Sequence, residues 1–408
     1  MNAASAAGQI PAQPAPPGGT AAGAPQRPPR AEPADVPAGP LHIGLVGPLP
    51  PPPGGMANQT VQLHGLLEQD GHQVELVQMN APYRPAWAGR IPLLRAGVRL
   101  LPYLWRVWQT AGRVQLLHVM ANSGWSWHLF SAPVIWVARL RGCPVLINYR
   151  GGEADAFLQR ARAWIAPSLT RSAALLVPSG YLAAVFDRHG FNNTVIPNVI
   201  NLERFSAAER QPGAKAAPSI LVARHLEPIY DNQSALRAFA LVLARHPGAS
   251  LVVAGSGPEH EALQALAAQL GIAAAVHFTG RVSNAEMAGL YRAADIMLNP
   301  SLVDNMPNSV LEALASGVAV VSTNVGGVPY LVQHGETALL VPPADPPAMA
   351  AAMLRLLEEP ALAGRLRAAG LQMVRQFTWQ QVRPRLLAAY QQALANHAGQ
   401  PGMHRSKA

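Results

Sequence analysis

Cysteine and lysine are almost missing from this 408-residue chain. Cys143 stands alone, which excludes an internal disulfide framework and a zinc site built from cysteines. Lys215 and Lys407 are the only lysines, so arginine carries the basic charge. Charged residues make up 13% of the chain against 50% hydrophobic, a balance that excludes disorder throughout. No stretch reaches about 18 uninterrupted apolar residues, so no membrane-spanning helix is expected. Acidic side chains are absent from the 77 residues between Glu75 and Glu153. That window holds nine arginines, at 84, 90, 95, 99, 106, 113, 139, 141 and 150, and accounts for the net charge of +9. Guanidinium groups without acidic partners nearby in sequence point to a phosphate-bearing partner or an anionic surface, with scattered solvated arginines as the competing reading.

Residues 1–40 hold 10 Pro, 5 Gly and 12 Ala, too little burial potential to offset ordering entropy, so a disordered tail is expected there. The tail has no continuous apolar run of the signal-peptide kind, and the expected location is cytoplasmic. From Leu41 short apolar runs alternate with helical stretches, the α/β pattern of parallel sheets with crossover helices. The first six runs are HIGLV (42–46), QVELVQM (73–79), QLLHVM (115–120), PVLINY (144–149), ALLVP (174–178) and TVIP (194–197). After a Pro/Ala/Gly-rich break the series restarts with SILVA (219–223), ASLVVAG (249–255), AVHFTG (275–280), DIMLNP (295–300), VAVVST (318–323) and ALLVP (338–342). The expected organisation is therefore an N-terminal half at 41–206, a linker at 207–218 and a C-terminal half at 219–376. A helix at 377–396 packs back on the first half, and a flexible tail follows at 397–408. Two such halves imply a ligand cleft at the carboxyl ends of their strands.

Several motifs lie at those ends. GPLPPPPGG (47–55) follows the first strand, and Gly54 and Gly55 precede a helix whose N-terminus favours an anion; an ordinary strand-to-helix turn fits equally well. ARHLEP (223–228) brings Arg224 out of a strand, as a phosphate ligand or a surface arginine. In NPSLVDNMPNSVLEALASG (299–317), Asp304 and Glu312 flank a loop-to-helix junction whose amides at Asn308, Ser309 and Val310 suit a diphosphate. A competing reading makes Ser309-x-x-Glu312 a capping box and Asp304 a turn residue. NVGGVP (324–329) is a second Gly-Gly turn, phosphate-facing or merely structural. GSGPEH (255–260) places His260 where a dinucleotide fingerprint needs glycine, so a nicotinamide fold is not expected. No convincing metal site is seen, Glu153 and Asp155 being the nearest acidic pair, and no cofactor is expected.

The acid-free window contains IPLLRAGVRLLPYLWRVWQTAGR (91–113). On a helix, Arg95, Arg99, Arg106 and Arg113 fall within about 40° of one another. Leu94, Val98, Leu101, Trp105 and Trp108 add apolar surface of a kind that suits a headgroup boundary. Core packing with a solvated arginine edge competes with that reading. Pro102 is expected to divide the stretch into two short helices. No RNA- or DNA-binding motif accompanies the charge, so nucleic acid is not an expected partner.

Taken in order, PPGGMANQT (52–60), VIPNVINLERF (195–205), VAGSGPE (253–259), HFTGRVSNAEMAGLYRAADI (277–296) and NPSLVDNMPNSVLEALASGVAVVSTNVGGVPYLV (299–332) carry a resemblance. From Leu41 to about Tyr390 the chain resembles glycosyltransferase family 4, retaining sugar transferases of the GT-B fold, with two Rossmann-like domains facing across a cleft. The resemblance implies a nucleotide-diphosphate sugar donor held mainly by the C-terminal half, without a metal. It puts Asp304 against donor sugar hydroxyls and Glu312 against the ribose. The amides around Ser309 and Val310, Arg224 and Gly55 would face the diphosphate, with Arg281 and Val282 edging the base.

This chain departs from the family pattern in four places. Asp304 replaces the first glutamate of Glu-x7-Glu, Tyr230 the lysine six positions after the arginine, and Tyr330 the glutamate after Gly-Gly-x-Pro. Arg150 replaces a histidine and is expected to return a cation to the cleft. The expected activity is transfer to a growing, lipid-linked glycan in polysaccharide or exopolysaccharide synthesis. Arg95, Arg99, Trp105, Arg106 and Trp108 would serve the acceptor or an anionic membrane surface at the inner face of the plasma membrane. A non-catalytic scaffold of a glycan-assembly complex is the competing class, motivated by the missing lysine.

Overall fold

The computed structural model of the chain describes residues 39–51, 54–82, 92–207 and 217–399, with the backbone alone at 92–96. Residues 1–38 and 400–408 of the expected tails, 208–216 of the linker, Arg84, Arg90 and the Arg95 side chain lie outside that description.

The first half runs β1 (His42–Gly47), α1 (Gly55–Gln69), β2 (Gln73–Gln78), α2 (Pro92–Ala111), β3 (Leu116–Ala121), α3 (Ala132–Leu140) and β4 (Val145–Tyr149). It continues with α4 (Ala154–Leu169), β5 (Ala174–Val177), α5 (Gly180–Arg188) and β6 (Thr194–Val195). The second half runs β7 (Ser219–Ala223), α6 (Asn232–Arg245), β8 (Ser250–Ala254), α7 (His260–Gln269), β9 (Val276–Gly280), α8 (Asn284–Ala293) and β10 (Ile296–Asn299). It continues with α9 (Asn308–Ala315), β11 (Ala319–Thr323), α10 (Val328–Leu331), β12 (Leu339–Val341), α11 (Pro346–Glu358) and α12 (Pro360–Met373). Helix α13 (Trp379–Ala398) follows.

The strands form two parallel six-stranded sheets, ordered β2-β1-β3-β4-β5-β6 and β12-β11-β10-β7-β8-β9. Apolar side chains cover both faces of each, as parallel sheets require. Each sheet has a point where strand order reverses, between β1 and β3 in the first and between β7 and β10 in the second. At such a point adjacent connections leave in opposite directions and open a crevice beyond the strands' carboxyl ends.

Helix α13 returns to the first sheet. Its Val382, Leu386, Tyr390 and Ala393 join Ile43, Leu45, Leu116 and Leu146 in one buried cluster. Asp70 at the end of α1 ties it down, accepting from Trp379 Nε1 at 3.0 Å and Arg383 Nε at 2.7 Å.

Pro102 does not divide α2, contrary to expectation: one helix runs through it. The proline sits on the exposed side, and Tyr103, Val107 and Ala111 bury the opposite face against the sheet, which offsets the one lost backbone hydrogen bond.

Candidate donor-binding site at the meeting of two sheets

Arg224 is the first residue beyond β7, and Asn299 ends β10, its neighbour across the reversal point. Arg224 Nε donates to Asn299 Oδ1 at 2.7 Å, and its Nη2 donates to Asp304 Oδ2. Asn299 is itself fixed, accepting from Ser301 Oγ and donating to Ser322 Oγ, both at 2.9 Å. The guanidinium also lies over the Tyr230 ring, 5.1 Å from its centroid. The residue in place of the family lysine therefore braces the arginine by a cation–π contact.

Two glycine loops support this pair from behind. A Cβ on Gly255 would lie 1.9 Å from the Arg224 carbonyl oxygen. Cβ atoms on Gly326 and Gly327 would lie 2.1 and 1.7 Å from the carbonyl oxygens of Asp304 and Asn305. Backbone approaches that close exclude any side chain. NVGGVP is thus a buttress for the Asp304 loop, with Gly327 N–H bonded to the Asp304 carbonyl at 3.0 Å, and GSGPEH packs against the Arg224 strand end.

Eight residues after Asp304, Glu312 accepts from Tyr291 Oη at 3.0 Å, and burial raises its pKa to about 7. The capping box does not form: Pro307 occupies the N-cap of α9 with no side-chain cap bond, and Ser309 Oγ is buried without a partner. Glu312 is therefore not consumed in satisfying the helix start. The first-turn amides of Asn308 and Ser309 are of the kind that lack intrahelical partners. The Val310 amide bonds back to the Pro307 carbonyl at 3.2 Å, which corrects its expected outward role.

The first half meets this site along its own strand ends. Gly54 caps α1 and Gly55 begins it, and a Cβ on either would meet nothing within 4 Å, so this helix start is open. From the next turn, Gln59 Nε2 donates to Asn308 Oδ1 at 2.9 Å, joining the starts of α1 and α9. Asn198, beyond β6, donates from Nδ2 to the same oxygen at 2.7 Å and to the Met306 carbonyl at 3.0 Å. Ser179 Oγ bonds Asn305 Oδ1, and the rings of Tyr181 and Tyr330 stand 6.4 Å apart. Arg150 is not an open cation: burial lowers its pKa to about 10, and it donates to Asn148 Oδ1 at 3.1 Å and to the side-chain oxygens of Gln59 and Asn198.

The remaining expected residues are dispersed. Arg281 is exposed, and Val282 packs on the cluster that holds Val310 and Leu311. Trp105 is 61% exposed and Arg106 is exposed, while Arg99 Nε donates to the Ala81 carbonyl at 3.2 Å. Trp108 is half-buried with Arg141 over its ring. Arg113 lies past the end of α2 and pairs with Glu75 at 2.6 Å, so the nine arginines are not all without acidic partners. Asp155 is engaged by His189 at 3.0 Å. Among the described residues no three His, Cys, Asp or Glu side chains gather as a metal site, and no helix is long and apolar enough to cross a membrane. Sequence reasoning missed Gln59, Asn198, Asn299 and Tyr291 as participants, although all four lie inside the motifs that carry the resemblance.

Two family models match consecutive stretches: Glycosyltransferase Family 4 over residues 53–204 and Glycosyl transferases group 1 over residues 217–359. A D-inositol 3-phosphate glycosyltransferase of Streptomyces avermitilis is 32% identical over 214 residues, covering 48% of this chain and 46% of that protein. A glycogen synthase of Mycobacterium tuberculosis is 33% identical over 190 residues, 46% of each chain. The chain spans about half the length of the curated relatives it matches. Among solved structures, a sucrose-phosphate synthase of Thermosynechococcus elongatus superposes with TM-score 0.67 at 22% identity, covering 87% of this chain and all of that one. Anabaena HepE in complex with UDP gives 0.68 at 16% identity, covering 86% and 99%. At such identities these two neighbours bear on the fold. With a GT-B arrangement of two parallel sheets and both halves matched in order, the chain belongs to the family 4, group 1 glycosyltransferases.

Proposed function

We propose that this protein is a retaining glycosyltransferase that moves a sugar from a nucleotide-diphosphate donor to a growing, lipid-linked glycan. The observation that carries the reading is the Arg224–Asp304 pair at the β7/β10 reversal point, beside the α9 start that meets α1. Charge develops on phosphate oxygens as the diphosphate departs, and fixed amide dipoles and guanidinium stabilise it without rearranging. Asp304 holds donor sugar hydroxyls, Glu312 the ribose, and Arg224 with the Asn308, Ser309 and Gly55 amides the diphosphate. The backbone near Arg281 and Val282 edges the base. The bond from the anomeric carbon to phosphate oxygen breaks and its electron pair leaves with the phosphate. The acceptor oxygen bonds that carbon on the same face, and its proton passes to the departing phosphate oxygen. No divalent ion takes part. UDP in the HepE complex supports a nucleotide donor.

The acceptor side belongs to the first half. Leu101 and Trp105, one turn apart on α2, are 70% and 61% exposed next to Arg106, and Trp125 and Trp164 of the same half are 77% and 79% exposed. Tryptophan with arginine suits an anionic headgroup boundary, where a lipid-linked acceptor resides.

Thermal-shift titration with UDP-, GDP- and ADP-sugars, followed by transfer assays with chelator present, tests the reading. A stabilising donor and chelator-resistant transfer are expected, and loss of transfer on chelation would refute the metal-free step. The scaffold reading draws on Tyr230 in the lysine place, and it would be favoured by nucleotide binding without turnover of any donor.

A further inference from the structure

A buried hydrogen-bond chain runs from α13 to the start of α9. Tyr390 Oη lies 2.8 Å from His118 Nδ1, and His118 Nε2 lies 3.0 Å from Asn148 Nδ2. Asn148 Oδ1 meets Arg150, which also meets Gln59 and Asn198, and both of these meet Asn308.

The direction of every bond follows from two groups that can act in only one way. Arginine donates and never accepts, so Asn148, Gln59 and Asn198 must each turn their carbonyl oxygen toward Arg150. The Met306 carbonyl can only accept, which holds the Asn198 NH2 on the opposite side. The second hydrogen of that NH2, together with the Gln59 NH2, then requires the oxygen of Asn308. Asn308 is left with its own NH2 turned away from the pair. Among the described residues no acceptor receives those hydrogens, and Asn308 is half-buried at the first position of α9 beside the unpartnered Ser309 hydroxyl.

We infer that the Asn308 side-chain NH2 is a donor to a phosphate oxygen of the nucleotide, and that Arg150 is the positioning residue that sets its orientation through Gln59 and Asn198. This rests on the nucleotide-sugar reading above. It replaces the expectation of Arg150 as a cleft cation: the charge acts two bonds away, by dictating which way neutral amides face. The opposite branch settles His118, whose Nε2 must accept from Asn148, so its proton is on Nδ1 and is donated to Tyr390.

The experiment measures binding of UDP, GDP and ADP by calorimetry, with melting temperature as the folding control. Asn308→Asp keeps the accepting oxygen and the shape but replaces NH2 by a carboxylate oxygen. A carboxylate in the first turn of a helix is itself favourable, so the melting temperature is held or raised. Nucleotide affinity falls by about tenfold or more. Arg150→Met, which leaves the amides free to flip, weakens binding about tenfold, while Arg150→Lys, still donor-only, stays within about threefold. In the Arg150→Met/Asn308→Ala double variant the loss matches that of Asn308→Ala alone, since the first residue acts through the second. Wild-type affinity in N308D would overturn the inference, and additive losses in the double variant would make Arg150 a direct phosphate ligand instead. Failure of the wild type to bind any of the three nucleotides refutes the underlying functional reading, a result separate from either.

Discussion

Arg224 and Asp304 are 10% and 11% exposed, and each is the other's partner. Removing one member of such a shielded pair leaves the other charge uncompensated, so Arg224→Ala should lower both transfer and melting temperature. Asp304→Asn keeps the shape and should cost transfer about a hundredfold or more with a smaller effect on folding. Tyr230 separates two possibilities in the same assay: Tyr230→Phe retains the ring under the guanidinium and nucleotide affinity, whereas Tyr230→Ala loses about fivefold. Glu312 provides a pH signature. Its folded pKa, about 7, lies above the ordinary 4.5, so the folded state holds the proton more tightly than the unfolded chain. Stability is greatest below about 4.5 on this account and declines as pH rises toward 7, by on the order of 3 kcal/mol in total. Urea titrations across that range should show a decline that Glu312→Gln removes. The Asp304/Glu312 spacing was legible in the sequence, but the Tyr291 hydroxyl on Glu312 and the Gln59–Asn308 bond, spanning 249 positions, were not. Spacing reveals neighbours on one element and not partners brought together by a sheet.

At the level of elements, each strand lies within two residues of its apolar run. Central strands such as β3 and β4 are buried at every position and so must be apolar in succession, whereas edge strand β2 is only partly buried and mixes Gln and Glu with its apolar residues. Helix α2 was misread for the opposite reason: the cost of Pro102 is local, whereas the compensation comes from tertiary burial that no window of sequence displays. The glycine loops behind the site were weighed in the sequence as a phosphate-facing turn or a plain turn (NVGGVP) and as part of a dinucleotide fingerprint (GSGPEH), and not as buttresses, since that purpose depends on another backbone 1.7–2.1 Å from where a Cβ would stand. Gly327→Ala should therefore displace the 304–305 loop, lowering the melting temperature and impairing transfer together. The exposed edge of α2 makes a different forecast. Trp105→Ser with Leu101→Ser should abolish co-sedimentation with vesicles containing phosphatidylglycerol while leaving melting temperature and soluble-donor binding unchanged. Equal sedimentation of the variant would count against a membrane role for this face.

For the whole molecule, the notable point is the character of the ties between the two sheets. Gln59 and Asn198 on Asn308, Ser179 on Asn305, Asn198 on the Met306 carbonyl and the Tyr181–Tyr330 ring contact all join uncharged groups. The phosphate ligand they would enclose is, by contrast, strongly anionic. Added electrolyte attenuates interactions between ions and leaves amide-to-amide bonds nearly untouched. Ionic strength thus becomes a means of separating two events that otherwise coincide. Raising sodium chloride should weaken nucleotide capture yet leave the radius of gyration of the unliganded protein, followed by small-angle scattering, where it was.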